Sequence, residues 1–266
     1  MTPMRRARIL AALLASPIVS LASASPTVRS TSSPPTPRSA GSILRKVELR
    51  TQDDLVLVGD FYEANAQGRL APAAVLVHDA GGQRSQMRLV AERLNRLGFA
   101  VLIVDLRGHG DSATKDLDWK TLDDAGRKSL WAHASKDLDA AADWLRKQPG
   151  IHKTNLSLVG NGSGCALAVR HASRDENVRC VALIGPNVVD FGFDVANDIL
   201  QIEGLPTCVI AQRSSSDVDR MVAEANATQP FIELFFSSSN APNAMEDRKT
   251  QAKVASWVKD CAMPGR

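Results

Sequence analysis

The segment "LSLVGNGSGCALAV", Leu156 to Val169, holds the residues whose order bears most directly on chemistry. An apolar run of strand type, Leu156, Leu158 and Val159, enters three closely spaced glycines and leaves as a small-residue helix. Such a strand-to-helix turn lifts a serine nucleophile above the end of a sheet. Laid onto Gly160 to Gly164, however, the G-x-S-x-G pattern puts Gly162 at the reacting position and Ser163 one place too late. Gly162 has no side chain with which to attack. A serine nucleophile also needs a histidine to take its proton and an acid to orient that histidine. The histidines are His78, His109, His133, His152 and His171, and none follows position 171.

The elements that must position these residues alternate. "KVELR" and "LVLVGDFYEA" predict a strand pair turning at "TQDD". "AAVLVHDAGG" predicts a buried strand, and Met87, Val90, Ala91, Leu94 and Leu97 mark a helix before Gly98. "FAVLIVDLRGHG" is a second buried strand, and Leu130, Ala134, Leu138, Ala141 and Leu145 mark one helix stopped by Pro149-Gly150. "NLSLVGN", "VRCVALIG", "TCVIAQR" and "FIELFFSS" continue the strand series, with helices between them and a last helix through Trp257. Apolar strands alternating with amphipathic helices predict an α/β protein with a mostly parallel sheet covered on both faces.

The chain has 266 residues, 44% of them hydrophobic, enough for one domain with appendages. The net charge of +3 is small and its cations are scattered, which argues against nucleic acid or an anionic membrane as partner. Arg5, Arg6 and Arg8, an apolar stretch from Ile9 to Leu21 and Ala22-Ser23-Ala24 predict a signal peptide over 1–24. Ser16, Pro17 and Ser20 interrupt a stretch already shorter than the ~20 residues of a spanning helix, so no stable membrane anchor is expected after cleavage. The expected location is periplasmic or extracellular. The Ser-, Pro- and Thr-rich residues 25–41 predict a disordered linker, and the folded domain is expected over 42–266. Cys165, Cys180, Cys208 and Cys261 allow two disulfides in three connectivities, or four free thiols, and spacing does not choose.

Three motifs now combine: "HDAGG" from His78 to Gly82, "DLRGHGDS" from Asp105 to Ser112, and "LVGNGSG". Together they resemble the α/β-hydrolase superfamily, in its lidless dienelactone-hydrolase or serine-esterase form. The resemblance implies an α/β-hydrolase fold and a triad in the chain order serine, acid, histidine. Those positions carry Gly162, Asp217 after "TCVIAQR", and Asn240 in "SSSNAPNAM". Asp217 reads equally as a helix N-cap. Asp79 stands where the family's oxyanion loop, H-G-x-G, has its first glycine. His78, Asp79, Ala80, Gly162 and Ser163 are the pocket candidates. The roughly twenty residues between Gly185 and Thr207 are too few for a helical cap.

Other groups substitute poorly. Ser163 would open the helix, where the resemblance gives its backbone N–H, not its hydroxyl, to the oxyanion hole. Cys165 falls inside the first helical turn and reads as a buried small residue. His78, Asp79, His109 and Asp111 lack a compact ligand spacing such as H-E-x-x-H, so no metal is expected, and no cofactor. A glycine at the elbow also removes a dihedral strain of about 1 to 3 kcal/mol. The expectation is a secreted protein without triad catalysis that binds an unknown small molecule or protein. The alternatives are an ester hydrolase built irregularly on Ser163, or on a water held by His78 and Asp217, and a structural module of the cell envelope. Mass spectrometry of protein recovered after export should find a mature N-terminus near Ser25, and an intact Met1 would count against the signal peptide.

Overall fold

A computed structural model describes residues 43–65, 68–212, 215–227, 230–237 and 244–264. The expected signal, 1–24, the linker, 25–41, and Asn240 lie outside the described residues. In chain order the elements are β1 (Leu44–Arg50), β2 (Val56–Tyr62), β3 (Ala71–Val77), α1 (Arg88–Arg96), β4 (Ala100–Val104), α2 (Asp124–His133), α3 (Ser135–Arg146), β5 (Ile151–Asn161) and α4 (Gly164–Ala172). They continue with β6 (Val178–Ile184), β7 (Val189–Asp190), β8 (Phe193–Asp194), α5 (Val195–Asp198), β9 (Thr207–Ala211), α6 (Ser216–Ala225), β10 (Ile232–Phe236) and α7 (Arg248–Ala262).

Eight strands form one sheet in the order β1-β2-β4-β3-β5-β6-β9-β10. β2 pairs antiparallel with β1 and β4, and every other pairing is parallel. The pleat splits the apolar strands between two cores. Val75, Val77, Leu102 and Val104 face a layer with Leu138, Leu145 and Leu167, whereas Ala74, Leu76, Val101 and Ile103 face Val90, Leu94, Val254 and Val258. Helices therefore cover both faces, which is why the central strands are apolar throughout rather than alternating. The connection from β6 to β9 holds only the short antiparallel pair β7–β8, α5 and a 3-10 turn, anchored by Phe191 against Trp119 and Trp131.

The single helix expected over Leu130 to Leu145 is two helices. The chain tightens at Ala134, whose N–H donates to Trp131 O at 3.0 Å, in place of a regular α-helical bond. The break comes just before Asp137, a fully buried carboxylate held by the loop after β4. Arg107 donates to Asp137 from its backbone N at 2.8 Å, from Nε at 2.9 Å and from Nη2 at 2.7 Å, and its guanidinium also reaches Asp53. Hydrogen bonding to Arg107 holds the Asp53 carboxyl well below the usual range. Nearby, Asp105 accepts from the backbone N of Arg84 at 2.6 Å and of Asp111 at 2.9 Å, and pairs with the Arg84 guanidinium. Ser112 bridges Asp105 O and Val58 N. The "DLRGHGDS" motif is thus a brace joining β2, β4 and α3.

All four cysteines are free thiols: Cys165, Cys180 and Cys208 are buried and Cys261 is half-buried. The Cys180 thiol on β6 donates to Ser157 Oγ at 3.4 Å and the Cys261 thiol on α7 donates to the carbonyl oxygen of Arg179 at 3.8 Å. No helix among the described residues is long and apolar enough to cross a membrane. Because Asp137 is the main partner of a buried cation, Asp137→Ala should cost about 3 kcal/mol or more in urea unfolding, as expected for breaking one side of a buried pair. A loss below about 1 kcal/mol would show that Asp53 alone satisfies Arg107.

Candidate functional site

β5 ends at Asn161 and α4 starts at Gly164, so Gly162 and Ser163 form the turn between them. Gly162 has φ +54°, in the left-handed region, and its N–H donates to Ile184 O at 2.9 Å. The backbone therefore retains an elbow although no side chain stands on it. Gly164 is required for a different reason: a Cβ there would lie 2.5 Å from the carbonyl oxygen of His78. The elbow and the loop after β3 are in direct contact.

That contact explains the site. Asp79 reaches across it, and its Oδ1 accepts from Ala80 N at 2.9 Å and from Ser163 N at 2.8 Å. One donor follows the elbow position and the other lies in the loop after the third strand, which is the composition of an α/β-hydrolase oxyanion hole. Both distances fall within the ~2.7–3.1 Å expected between such donors and a bound oxyanion. The carboxylate of Asp79 occupies the hole. It also occupies the nucleophile's space, because a Cβ built on Gly162 would meet Asp79 Oδ1 at 2.2 Å and Cγ at 2.3 Å.

The other polar groups are committed elsewhere. His78 donates from Nδ1 to Asp79 O at 2.7 Å and accepts at Nε2 from Leu106 N at 3.0 Å. His109 donates from Nδ1 to Arg107 O at 2.8 Å and accepts at Nε2 from Gly81 N at 3.0 Å. Each ring is a neutral bridge between backbone groups, with neither nitrogen left for a substrate or a metal. Burial, reinforced by the neighbouring His109, holds His78 down to about 3, and burial lowers His109 as well. Ser163 is 2% exposed, and its hydroxyl donates to Asp190 at 2.5 Å and accepts from Asn187 Nδ2 at 3.0 Å. Ser163 is the N-cap residue of α4, but its hydroxyl makes no cap bond to the helix backbone. Burial raises the Cys165 thiol above its usual range.

Asp217 does not join the site. It lies in the first turn of α6, 68% exposed and paired with Arg220, while the N-cap is Ser215. The water held between His78 and Asp217 is ruled out by this placement, since His78 is fully buried and both its nitrogens are used. The structure does bring together His78, Asp79, Ala80, Gly162 and Ser163. It adds Asn161, Asn187 and Asp190, for which the sequence offers no signal beyond their polarity. Asp79 had a signal, a side chain where the family pattern has glycine, paired with a glycine where it has a side chain. Over the elbow lies a cleft of about 290 Å³ lined by Asp79, Asn161, Asn187, Gln212, Ser215 and Val218, among others.

The strand order, the elbow after β5 and the oxyanion loop after β3 define an α/β-hydrolase-fold protein. The chain belongs to the dienelactone hydrolase family, which it matches over residues 60–228. It is 30% identical over 142 residues to thiohydrolase aneE of Aspergillus aculeatus, and 29% identical over 151 residues to thiohydrolase apmlB of Arthrinium phaeospermum. These alignments cover 53% and 56% of this chain but only 41% and 45% of the two relatives. Similar solved structures include an esterase of Pyrococcus furiosus, with TM-score 0.66, 20% identity and coverage of 85% of this chain and 94% of that one. A dienelactone hydrolase of Anabaena variabilis gives TM-score 0.64 and 22% identity over 84% and 97%.

The buried histidines make stability depend on pH. An unfolded histidine titrates near 6.5, whereas folded His78 titrates near 3, so protons bind preferentially to the unfolded chain below pH 6.5. Stability is complete above that value and is lost as pH falls from 6.5 toward 3. His78 alone should lower the unfolding free energy by about 2 kcal/mol between pH 7 and pH 5, before carboxylates with lowered values begin to protonate. Urea denaturation at the two pH values measures this, and equal stabilities would contradict the neutral-bridge assignment.

Proposed function

We propose that this member of the dienelactone hydrolase family no longer performs triad hydrolysis and uses the cleft over Gly162 to bind a small molecule. The observation that carries this reading is Asp79, whose Oδ1 accepts both oxyanion-hole N–H groups in the space a nucleophile would need. An oxyanion hole accelerates reaction because it stabilises charge that develops in the transition state. A hole already holding a full carboxylate offers nothing further to a tetrahedral intermediate. The cleft itself remains, and the signal-like residues 1–24 support the proposal that it works outside the cytoplasm.

A second reading rests on Ser163, whose short hydrogen bond to Asp190 is the geometry of a hydroxyl facing a proton acceptor. The esterase and thiohydrolase names of its relatives keep that reading in view. Against it, Ser163 is 2% exposed and its N–H is spent on Asp79.

The two readings separate in one set of measurements. Under the first, a fluorophosphonate probe leaves the protein unlabelled and aryl esters are not turned over; under the second, Ser163 is labelled and Ser163→Ala abolishes hydrolysis. Loss of a triad leaves a residual rate of about 10³ to 10⁴ over water in the best-studied protease, well below the ~10⁶ or more of an ordinary enzyme. Gly162→Ser alone should destabilise the fold, because its side chain meets Asp79, and Asp79→Gly should relieve that loss in the double variant. That double variant should still turn over no ester, because it restores the nucleophile and frees the hole but supplies no histidine base. Hydrolysis by Gly162→Ser alone would show that Asp79 does not block the hole.

A further inference from the structure

We infer that Asp79 is a carboxylate nucleophile, presented by the cleft over Gly162 to small epoxides, which it captures as an ester. The inference rests on the binding reading above and concerns the fate of one class of bound molecule.

The two oxygens of Asp79 are placed for different tasks. Oδ1 is held by Ala80 N at 2.9 Å and by Ser163 N at 2.8 Å. Oδ2 takes no hydrogen bond from the described residues and stands over the elbow, 2.7 Å from where a Cβ of residue 162 would be. A lone pair therefore sits where the fold ordinarily raises its nucleophile. Asp79 is half-buried and lines the cleft of about 290 Å³, and its Oδ2 is not sealed from solvent as the Nδ2 of Asn161 is. Fixing one oxygen aims the other, so a bound molecule meets a lone pair already oriented. A carboxylate so placed can form a covalent bond to carbon.

The hydrogen bonds to Oδ1 decide which carbon. Attack on an acyl carbon passes through a tetrahedral oxyanion, and both N–H groups that would hold it are taken by Asp79 itself. Displacement at a saturated carbon builds no such oxyanion: Oδ2 forms the new bond, and Oδ1 becomes the carbonyl oxygen of an ester while keeping both donors. An epoxide suits this step because ring strain drives it and the leaving oxygen stays attached. The ring C–O bond breaks, its electron pair goes to that oxygen, and cleft water supplies the proton, giving a hydroxyalkyl ester. The hydroxyl of Ser215, which lines the cleft and makes no cap bond to α6, can donate to the same oxygen. Pro186, Ala211 and Val218 offer apolar contact to a short carbon chain. His78 and His109 have both nitrogens committed, so neither activates water against the ester, and it accumulates.

The test is incubation of the full chain with glycidol or propylene oxide, followed by tryptic digestion and tandem mass spectrometry. Asp79 is the only side-chain carboxylate of the tryptic peptide 70–84, which should gain the mass of the whole epoxide. Hydroxylamine should remove that mass, as it does from an ester and not from an alkylated histidine or thiol. Asp79 should react at least about ten-fold faster than the exposed Asp217, the advantage of an oriented group in a binding cleft. Asp79→Asn should lose the adduct, and the comparison with Asp217 in the unmodified protein stands even if that variant fails to fold. No adduct on the peptide, an adduct that resists hydroxylamine, or Asp79 reacting no faster than Asp217 overturns the inference. A fluorophosphonate probe on the same preparation separates the two failures: labelling of Ser163 sinks the binding reading, whereas a protein that takes neither reagent sinks only this assignment.

Discussion

The space above position 162 can hold one group, and the rest of the site depends on which group holds it. With Asp79 Oδ1 only 2.2 Å from where a Cβ would stand, a side chain at 162 and the observed position of Asp79 exclude one another. Asp79 keeps its place because two backbone N–H groups converge on one of its oxygens, one of them from Ser163 at the amino end of α4. A carboxylate at that end of a helix is also favoured by the helix dipole. The elbow geometry survives without its reactive side chain, because Gly162 needs the left-handed conformation only to turn the chain from β5 into α4.

Around that contact lies a frame of buried polar groups whose members have the types usually found in catalysis. His78 ties the loop after β3 to Leu106, and His109 ties the loop after β4 to Gly81. These two bonds run between the same pair of loops in opposite directions. An imidazole serves here because, in one tautomer, it donates at one edge and accepts at the other without carrying charge. Arg107 continues the frame to α3 and Asp105 to Arg84, so the oxyanion loop is held from several sides. The price of this arrangement is sensitivity to acid, since the frame depends on imidazoles that must stay neutral.

Much of this was legible in the sequence. The alternation of apolar strands and amphipathic helices gave the layered sheet, and the three glycine-bearing motifs fixed which strand ends carry the site. What stayed hidden depended on contacts distant in sequence. Asp79 was visible as an odd residue in its motif, but its reach to Ser163 spans 84 positions and no local pattern records it. Asp217 misled because only its distance from a strand end was available, and the surface of α6 turns it outward to Arg220. The break at Ala134 escaped because the apolar spacing from Leu130 to Leu145 continues through it. Asp190 and Asn187 come from a connection with no periodicity at all.

The pairing of Asp79 with Gly162 also constrains how such a site can change. With a serine at 162, an aspartate at 79 has no room for its carboxylate in the hole, so the observed arrangement requires the elbow side chain to be absent. Once it is absent, two N–H groups converge on a point that no protein atom fills, and Asp79 supplies the missing acceptor. In a hydrolase those donors interact more strongly with the transition state than with the substrate, and that difference is the source of rate. Here the same donors already hold an oxygen of the protein's own Asp79 before any substrate arrives. The interaction is then spent on the folded protein: it fixes the loop after β3 against α4 and leaves the second oxygen of Asp79 presented to the cleft.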